Sequence, residues 1–411
     1  MKTRNLLLAA AMLTLGASFG APFTATGARA QDIPVKLGVL NDMSGLYADI
    51  SGPGSLVAAQ MAAEDFMAKN KGVKVEVIGA DHQNKPDVGS AIARKWYDQD
   101  HVDVIMDTTT SSVALAVNDV TREKNKIFLV SGGGTSDLTG AKCSPNTVHW
   151  TYDTWALANG TGSALTKQGG TPWFFIVADY AFGAALERDA AAAVKKAGGT
   201  VAGSVKHPLS ATDFSSFLLQ AQSSGAKVIG LANAGSDLIN AIKQASEFGI
   251  TQGGQSLAGL LIFSSDVKAL GLQAAQGLLL TEAFYWDLND DTRAFSKRFA
   301  EKFGGKMPTS AQAGVYSSAM HYLDAVKASG TKDAPKVMAQ MRATPINDPL
   351  FGKGEVRIDG RATHPMYLFR VKKPADSKGP WDLYELVATI PANEAFRPLA
   401  DGGCPLVAQA K

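Results

Sequence analysis

Two short runs of hydroxyl and glycine residues carry groups that could bind an anion. The first is Thr108-Thr-Thr-Ser-Ser112, directly before a predicted helix, and the second is Ser131-Gly-Gly-Gly-Thr-Ser136. Hydroxyl groups and free backbone N–H groups at a helix start donate the hydrogen bonds that a carboxylate accepts. Thr110 and Ser111 are therefore candidate ligand contacts, although such residues also serve as ordinary helix caps. The glycines would let the backbone approach a ligand closely, or would simply permit a tight turn.

Several aromatic residues lie in or near predicted loops and could wall an apolar ligand: Tyr47, Tyr152, Tyr180, Phe182, Tyr285 and Trp286. Each ring could equally belong to the core or the surface. Tyr47 and Phe182 are the stronger candidates because both lie in loops that follow predicted strands. Asp179, Asp237 and Asp266 could hold an ammonium group or cap helices, and capping suits Asp237 best because it follows Gly-Ser where a helix begins.

Motifs for catalysis and for cofactor binding are weak in this sequence. Gly16-Ala-Ser-Phe-Gly20 matches the nucleophile-elbow pattern but lies within a predicted export signal. The triple glycine fails the dinucleotide fingerprint because Asp137 stands where the third glycine is required, and no G-x-x-x-x-G-K-[ST] loop occurs. The histidines and cysteines show no metal-ligand spacing. We therefore expect no enzyme activity, no cofactor and no bound metal.

An alternation of strands and helices would position the candidate residues. One series of apolar runs predicts strands at residues 35–40, 73–77, 102–106 and 127–130, with helices between them. A second series predicts strands at residues 173–178, 201–205, 227–232 and 260–263 and helices near residues 183–197, 213–223 and 237–248. This alternation is typical of parallel βαβ units, whose ligands bind beyond the carboxyl ends of the strands.

The last third of the chain has a different pattern. Helices are predicted near residues 291–304, 309–328 and 333–342. After Phe351 the pattern changes to strands and turns, and Asp359-Gly360 predicts a hairpin that joins residues 355–358 to residues 366–369.

The chain starts with the three parts of a cleavable export signal. Lys2 and Arg4 precede an apolar stretch from Leu6 to Leu15, and Ala28-Arg29-Ala30 forms the cleavage pattern before Gln31. The apolar stretch is shorter than the roughly 20 residues that span a bilayer. We therefore predict a signal peptide at residues 1–30 and a soluble, exported mature protein, which is long enough for two domains.

Charge and cysteine content narrow the class further. Removing Lys2, Arg4 and Arg29 from the 40 basic residues leaves 37, against 38 acidic residues. A near-neutral chain without basic clusters gives no electrostatic signal for nucleic acid or membrane binding.

Cys143 and Cys404 are predicted to pair in an oxidising compartment, which would destabilise the unfolded chain by roughly 5 kcal/mol. Two buried free thiols are the alternative.

An ordered set of motifs resembles the periplasmic branched-chain amino acid binding proteins, the substrate-binding subunits of ABC transporters. The set comprises Val35-Lys-Leu-Gly-Val-Leu40 with Ser44-Gly45 and a glycine-rich loop into a helix ending at Phe66, Ser111-Ser-Val-Ala-Leu-Ala116, Ser131-Gly-Gly-Gly-Thr135 and Asp179-Tyr-Ala-Phe-Gly183. The resemblance extends from about residue 33 to residue 370. Its specificity lies in the order of motifs that would each be weak alone.

The resemblance implies an α/β type I periplasmic binding fold, in which two Rossmann-like lobes are joined by a three-stranded hinge and close on a ligand. The N-terminal lobe would comprise residues 31–151 plus 284–345, and the C-terminal lobe residues 152–283 plus 346–411. The implied ligand contacts, together with those proposed from the residues themselves, are Tyr47, Thr110, Ser111, Gly133, Gly134, Thr135, Tyr152, Phe182, Asn233, Asp266 and Tyr285.

The sequence departs from the family pattern on the amine side of the site. Amino acid binders place an acidic residue after a later strand of the second lobe, where this chain has Asp266 or Ser265. The family's second-lobe tyrosine falls near residues 233–235, where no aromatic residue occurs. The resemblance thus implies a small carboxylate with an apolar or aromatic body, or a hydrophobic amino acid.

The expected function is therefore capture of this ligand in the periplasm by a monomer that delivers it to an ABC permease with cytoplasmic ATPases. Two alternatives remain at this point. The protein could report its ligand to a signalling receptor, or it could be a periplasmic hydrolase, for which the sequence provides no paired nucleophile and base.

Overall fold

The first sheet is a parallel sheet of five strands. The structure, a computed structural model, describes residues 32–409, so the predicted signal peptide lies outside the described residues. The elements of this region are β1 (Ile33–Asn41), α1 (Gly52–Lys69), β2 (Val73–Asp81), α2 (Pro86–Asp98), β3 (Val104–Asp107), α3 (Ser111–Glu123), β4 (Ile127–Val130) and β5 (Thr147–His149). Strands β3 and β4 are buried on both faces. Helices cover both faces of such a sheet, so its inner strands are continuous apolar runs.

Strand order determines where this sheet opens. The order is β2-β1-β3-β4-β5, so consecutive connections leave β1 and β3 towards opposite sides. A crevice forms beyond the carboxyl ends of strands where the order reverses in this way. The loops after β1 and β3, which carry Tyr47 and the run from Thr108 to Ser112, therefore border one crevice.

A second parallel sheet follows, and its strand order also reverses. Its region contains α4 (Thr154–Leu157), a π-helical turn (Ala158–Gly162), α5 (Ser163–Lys167), β6 (Trp173–Ala178), α6 (Ala181–Lys196), β7 (Val201–His207), α7 (Ser215–Ser223), β8 (Val228–Ala232), α8 (Gly235–Glu247), β9 (Ser256–Gly259), α9 (Ser264–Leu270) and α10 (Leu272–Ala275). The order β7-β6-β8-β9 reverses between β6 and β8. The loops after β6 and β8 thus border the second crevice.

The remaining chain adds helices and antiparallel strands. Its elements are β10 (Leu279–Glu282), α11 (Asp290–Lys302), α12 (Ser310–Ser329), α13 (Ala334–Ala343), β11 (Ile346–Asp348), β12 (Gly352–Gly354), β13 (Met366–Val371), β14 (Tyr384–Ile390), α14 (Ala392–Ala395) and α15 (Pro405–Gln409). Strands β10, β13 and β14 form an antiparallel sheet, and β11 pairs with β12. The helix α12 begins at a capping box in which Thr309 and Gln312 bond each other's backbone.

The predicted fold class is confirmed, while three local predictions were wrong or incomplete. Residues 260–263 are a buried loop, because the strand ends at Gly259 and Phe263 already caps α9. The turn at Asp359-Gly360 exists, but residues 366–371 pair with β10 and β14 instead of residues 355–358. The short strand β5 was not predicted, since three residues give no periodic signal.

Two long-range predictions concern the way the chain is joined. Cys143 and Cys404 form a disulfide across 261 residues, with their Cα atoms 5.7 Å apart, which confirms the predicted pair. The proposed lobe boundaries divide no helix or strand among the described residues and stay a prediction. Among residues 32–409, no helix combines the length and the hydropathy needed to cross a membrane.

Candidate ligand-binding site

A small cavity lies where loops from the two parallel sheets meet. Its volume is about 10 Å³. The residues that line it are Tyr47, Ile50, Thr109, Gly132, Tyr152, Tyr180, Phe182, Ala234 and Leu261. Ligand sites usually measure roughly 300–1,000 Å³, so this cavity is too small to hold a ligand unless the surrounding loops move apart.

Larger concavities lie on the surface and away from the strand ends. One open groove of about 620 Å³ runs along Trp155, Lys167 and Phe396. Another of about 690 Å³ follows Trp286 and Met307. We assign the site to the smaller cavity because it lies at the carboxyl ends of the strands, where open α/β sheets bind ligands.

Two tyrosines from different sheets meet at the cavity. The Tyr47 hydroxyl, from the loop after β1, lies 2.7 Å from the Tyr180 hydroxyl, from the loop after β6. Burial raises the pKa of both side chains, and the Asp237 carboxylate raises both further. Both side chains therefore stay neutral, and one hydroxyl hydrogen remains available for another acceptor.

The prediction that Asp237 caps α8 was wrong. Its carboxylate makes no capping hydrogen bond and instead accepts one from Ser210 N at 3.1 Å.

Tyr152 and Phe182 form another part of the wall. The Tyr152 hydroxyl donates to Gly132 O at 2.8 Å, and its ring packs edge-on against Phe263. Phe182 lies beside Gly134, where an added Cβ would come within 2.8 Å of the ring. Gly134 therefore leaves the space that the Phe182 ring occupies.

The predicted hydroxyl contacts divide between two neighbouring positions. Ser111 Oγ accepts a hydrogen bond from Thr135 N at 3.1 Å, and both residues are buried. Thr110, at the N-cap of α3, makes no capping bond and donates to the Asn84 side chain. Thr109, which sequence reasoning missed, is the hydroxyl residue that lines the cavity. No sequence signal separates three consecutive threonines.

A buried carboxyl group stands behind this wall. Asp107 accepts a hydrogen bond from Asn41 Nδ2 at 2.7 Å, and burial raises the Asp107 pKa to about 6. Ser51 and Ser55 lie near enough to lower this pKa, yet neither hydroxyl is placed to donate a hydrogen bond. The backbone of Asp107 and Thr108 is left-handed, with φ of 76° and 60°. Such values are uncommon for residues other than glycine, so the surrounding contacts must hold this turn in place.

Eight of the eleven predicted contacts lie outside the cavity lining, and three of these eight make their contacts elsewhere. Asp266 accepts a hydrogen bond from Phe263 N at 2.9 Å, and burial raises its pKa to about 7. The Asn233 side-chain amide lies 3.0 Å from His207 Nε2. The Tyr285 hydroxyl donates to Trp381 O at 2.8 Å, within a separate aromatic core.

Other predicted residues line or adjoin the cavity. Tyr47, Tyr152 and Phe182 line it, while Gly134 packs against Phe182. Gly133 packs against the loop after β3, since an added Cβ would come within 2.8 Å of Thr108 O. All eleven assignments stay predictions. The apolar residues Ile50, Ala234 and Leu261 gave no signal in the sequence, because a lining residue and a core residue of this kind look alike.

The site provides hydroxyl, backbone and aromatic groups without a charged lining residue among the described side chains. Within residues 32–409, no cluster of three or more His, Cys, Asp or Glu residues could hold a metal ion. Such an arrangement can bind a polar group by neutral donors and enclose an apolar body.

Comparisons with known proteins show which proteins this chain is similar to over most of its length. A family model described as periplasmic binding protein matches residues 34–379. A periplasmic binding protein from Burkholderia mallei is 52% identical, with 91% of this chain and 99% of that chain covered and a TM-score of 0.88. A branched-chain amino acid ABC transporter periplasmic ligand-binding protein from Burkholderia xenovorans LB400 is 41% identical, with coverage of 90% and 99% and a TM-score of 0.81.

A more distant solved structure shares the fold. It is a solute-binding protein of an ABC transporter from R. palustris in complex with benzoate, 20% identical, with coverage of 90% and 99% and a TM-score of 0.79. The comparison with curated proteins gave no significant match.

Proposed function

The chain belongs to the periplasmic binding protein family, and from that premise we propose that it captures a small carboxylate with an apolar or aromatic body for an ABC importer. The composition of the cavity carries this proposal. Tyr47, Tyr152, Tyr180 and Phe182 surround it, and neutral groups supply its polar contacts. Aromatic walls favour an apolar body, because enclosing it removes apolar surface from water.

The carboxylate would bind at the start of α3. Ser111 Oγ accepts the Thr135 N–H in this structure and keeps its own hydrogen for a ligand oxygen, and the Thr135 N–H would reach the ligand by leaving Ser111. The N-terminus of the 13-residue helix α3 adds a favourable partial positive charge. Two neutral donors and a helix end suffice to bind one carboxylate.

An ammonium group finds less support at this site. Asp266, the acidic residue of the predicted amine side, bonds the Phe263 backbone, and its raised pKa leaves it partly protonated near neutral pH. For this reason we place a plain carboxylate before an α-amino acid. The similarity to the B. xenovorans amino acid binder supports a hydrophobic amino acid as the second candidate.

Ligand binding would be accompanied by closure of the two lobes, and the closed form would be the one that signals bound ligand. Tyr47 and Tyr180 come from loops of different sheets, so their contact exists only when these loops are together. A ligand favours the closed form by as much as its affinity for the two forms differs. The proposal includes a membrane permease with cytoplasmic ATPases that recognises the closed surface, a monomeric state, export to the periplasm and no catalysis.

A thermal-shift screen of residues 31–411 tests the ligand class. Matched compounds should include benzoate with benzamide and phenylalanine, and 4-methylpentanoate with leucine. A true ligand raises stability by RT ln(1 + [L]/Kd). We expect the carboxylates to shift the melting temperature and the amide to fail. A shift with leucine or phenylalanine but not with the deaminated acids would replace the first candidate by the second.

A further inference from the structure

The segment after the predicted ligand loop depends on contacts from elsewhere in the chain. The ligand loop, residues 131–136, carries Gly133, Gly134 and Thr135 and leads into the 3₁₀ turn Ser136–Thr139. The chain then reaches Cys143 and rejoins the sheet only at β5. A connection with so little regular structure keeps its geometry through side-chain and terminal contacts.

Residues 394–404 provide such contacts. Arg397 Nη2 donates to Ser136 O at 2.9 Å, and Cys404 is bonded to Cys143. Gly140 makes this approach possible, because an added Cβ would come within 2.7 Å of the Arg397 guanidinium and 2.8 Å of Gly402 O. The tail is therefore packed directly against the segment that follows the ligand loop.

The other end of this tail is attached to a different part of the molecule. Glu394 O accepts a hydrogen bond from Asn159 Nδ2 at 3.0 Å, in the π-helical turn before the second sheet. Phe396 is 2% exposed and lies 4.4 Å below the Arg361 guanidinium. Arg361, itself fully buried, donates to Thr151 O at 2.9 Å, where the chain passes from the first sheet towards the second.

We propose that residues 394–404 form a C-terminal strap that holds the ligand loop in its binding geometry. Arg397 is the positioning residue, and the Cys143–Cys404 disulfide is the covalent anchor. The strap runs from the second-sheet region past the crossing at Thr151 to the loop region of the first sheet. It rests on the proposed function only for the identity of the ligand loop.

The physical reason for the anchor is that the strap has little regular structure of its own. Without the disulfide, the strap would be held by the buried Phe396 ring and by hydrogen bonds such as that of Arg397, which can open locally. The disulfide keeps the strap close to the loop, so that Arg397 remains opposite Ser136 O. Opening of the loop then requires displacement of a tethered segment.

Hydrogen–deuterium exchange in the ligand-free protein tests the strap without any ligand. We compare the native protein with the double variant Cys143→Ser with Cys404→Ser, with Arg397→Ala and with Arg397→Lys. Arg370→Ala is the matched control, because Arg370 is an exposed arginine on β13, with Nη1 3.9 Å from a carboxylate oxygen of Glu385 on β14. We expect exchange at Ser136–Thr139 to accelerate about fivefold or more in the first two variants. Arg397→Lys should recover part of the protection, and the control should change nothing there.

Unchanged exchange at Ser136–Thr139 in both the double variant and Arg397→Ala would overturn the strap. If the double variant exchanges faster everywhere, it has lost global stability, and Arg397→Ala, which keeps the disulfide, decides the question. Acceleration in Arg397→Ala that equals the acceleration in β3 and β6 would also contradict local positioning. A failed ligand screen leaves these results intact, so the two proposals fail separately.

Discussion

On the first-sheet side, the cavity is backed by buried polar groups that bond one another, whereas on the second-sheet side it is enclosed mainly by apolar groups. Asn41 joins Asp107 to the backbone of Thr109 on the first side. Phe182 and Leu261 line the second side without polar side-chain atoms. Buried hydrogen bonds fix the orientation of the side chains that make them, whereas apolar packing tolerates different shapes. The first side therefore has its binding geometry before a ligand arrives, and the second side can adjust to the ligand.

The largest expected effect comes from breaking the polar network of the first side. Asn41→Ala removes the donor to a fully buried carboxylate, and we expect a loss of about 3 kcal/mol in the free energy of unfolding at pH 8. Asn233→Ala is the matched change on the second side, where the amide contacts His207, and should cost about 1 kcal/mol. Urea denaturation measures both values. Equal losses would show that the two sides do not differ in this way.

The next effect concerns the charge of Asp107. Its folded pKa of about 6 exceeds the ordinary value of 3.8, so the folded protein binds the proton more tightly than the unfolded chain. Asp107 therefore favours folding below about pH 4 relative to high pH, and this advantage disappears as the pH rises through about 6. The shift corresponds to about 3 kcal/mol.

Asp107→Asn removes this titration, provided the variant folds. We expect the difference in unfolding free energy between native protein and variant to change by about 3 kcal/mol between pH 4 and pH 8, moving against the native protein. Exposed Asp376→Asn is the control and should show no such trend. Burial also raises the pKa values of Glu282 and Asp266, to about 8 and about 7. Both residues are present in the native protein and in the variant, so their titration cancels in the difference in unfolding free energy. A constant difference across this pH range would contradict the raised pKa.

Ligand affinity should distinguish the sides by chemistry. Phe182→Ala removes apolar wall, and we expect a loss of about 2 kcal/mol in binding, or about thirtyfold, for ligands of any head group. Ser111→Ala should lose about 1 kcal/mol for carboxylates only. Calorimetry with the tightest compound from the screen and its amide measures both. If Ser111→Ala binds the carboxylate with unchanged affinity, Ser111 is not part of the site.

The location of the site could be predicted from the sequence because its physics is repetitive. Buried parallel strands are apolar runs, and their carboxyl ends border the crevices, so Tyr47 and Phe182 were expected near this edge, although Phe182 lies in the first turn of α6 and not in a loop. The side chain that faces the cavity within a loop could not be predicted. The left-handed backbone at Asp107 and Thr108 sets the direction of the next residues, so Thr109 lines the cavity and Thr110 turns towards Asn84.

The acidic residues show the same limit. Asp266 is near the place that the family pattern indicates, but its carboxylate is engaged at the start of α9. A motif gives a position along the chain, whereas the partner of a side chain depends on packing against distant segments. The contact between the C-terminal strap and the ligand loop is a further case, since 261 residues separate its two cysteines.

The smallest expected effect tests the polar contact between Tyr47 and Tyr180, which joins the two sides at the cavity. Tyr47→Phe and Tyr180→Phe each remove one hydroxyl of the 2.7 Å pair, and each should weaken closure by about 1 kcal/mol, or about fivefold in the ligand dissociation rate. Because both changes break the same bond, the double variant should lose no more than either single variant. Stopped-flow dissociation measures all three rates. Additive losses would mean that each hydroxyl acts on the ligand separately.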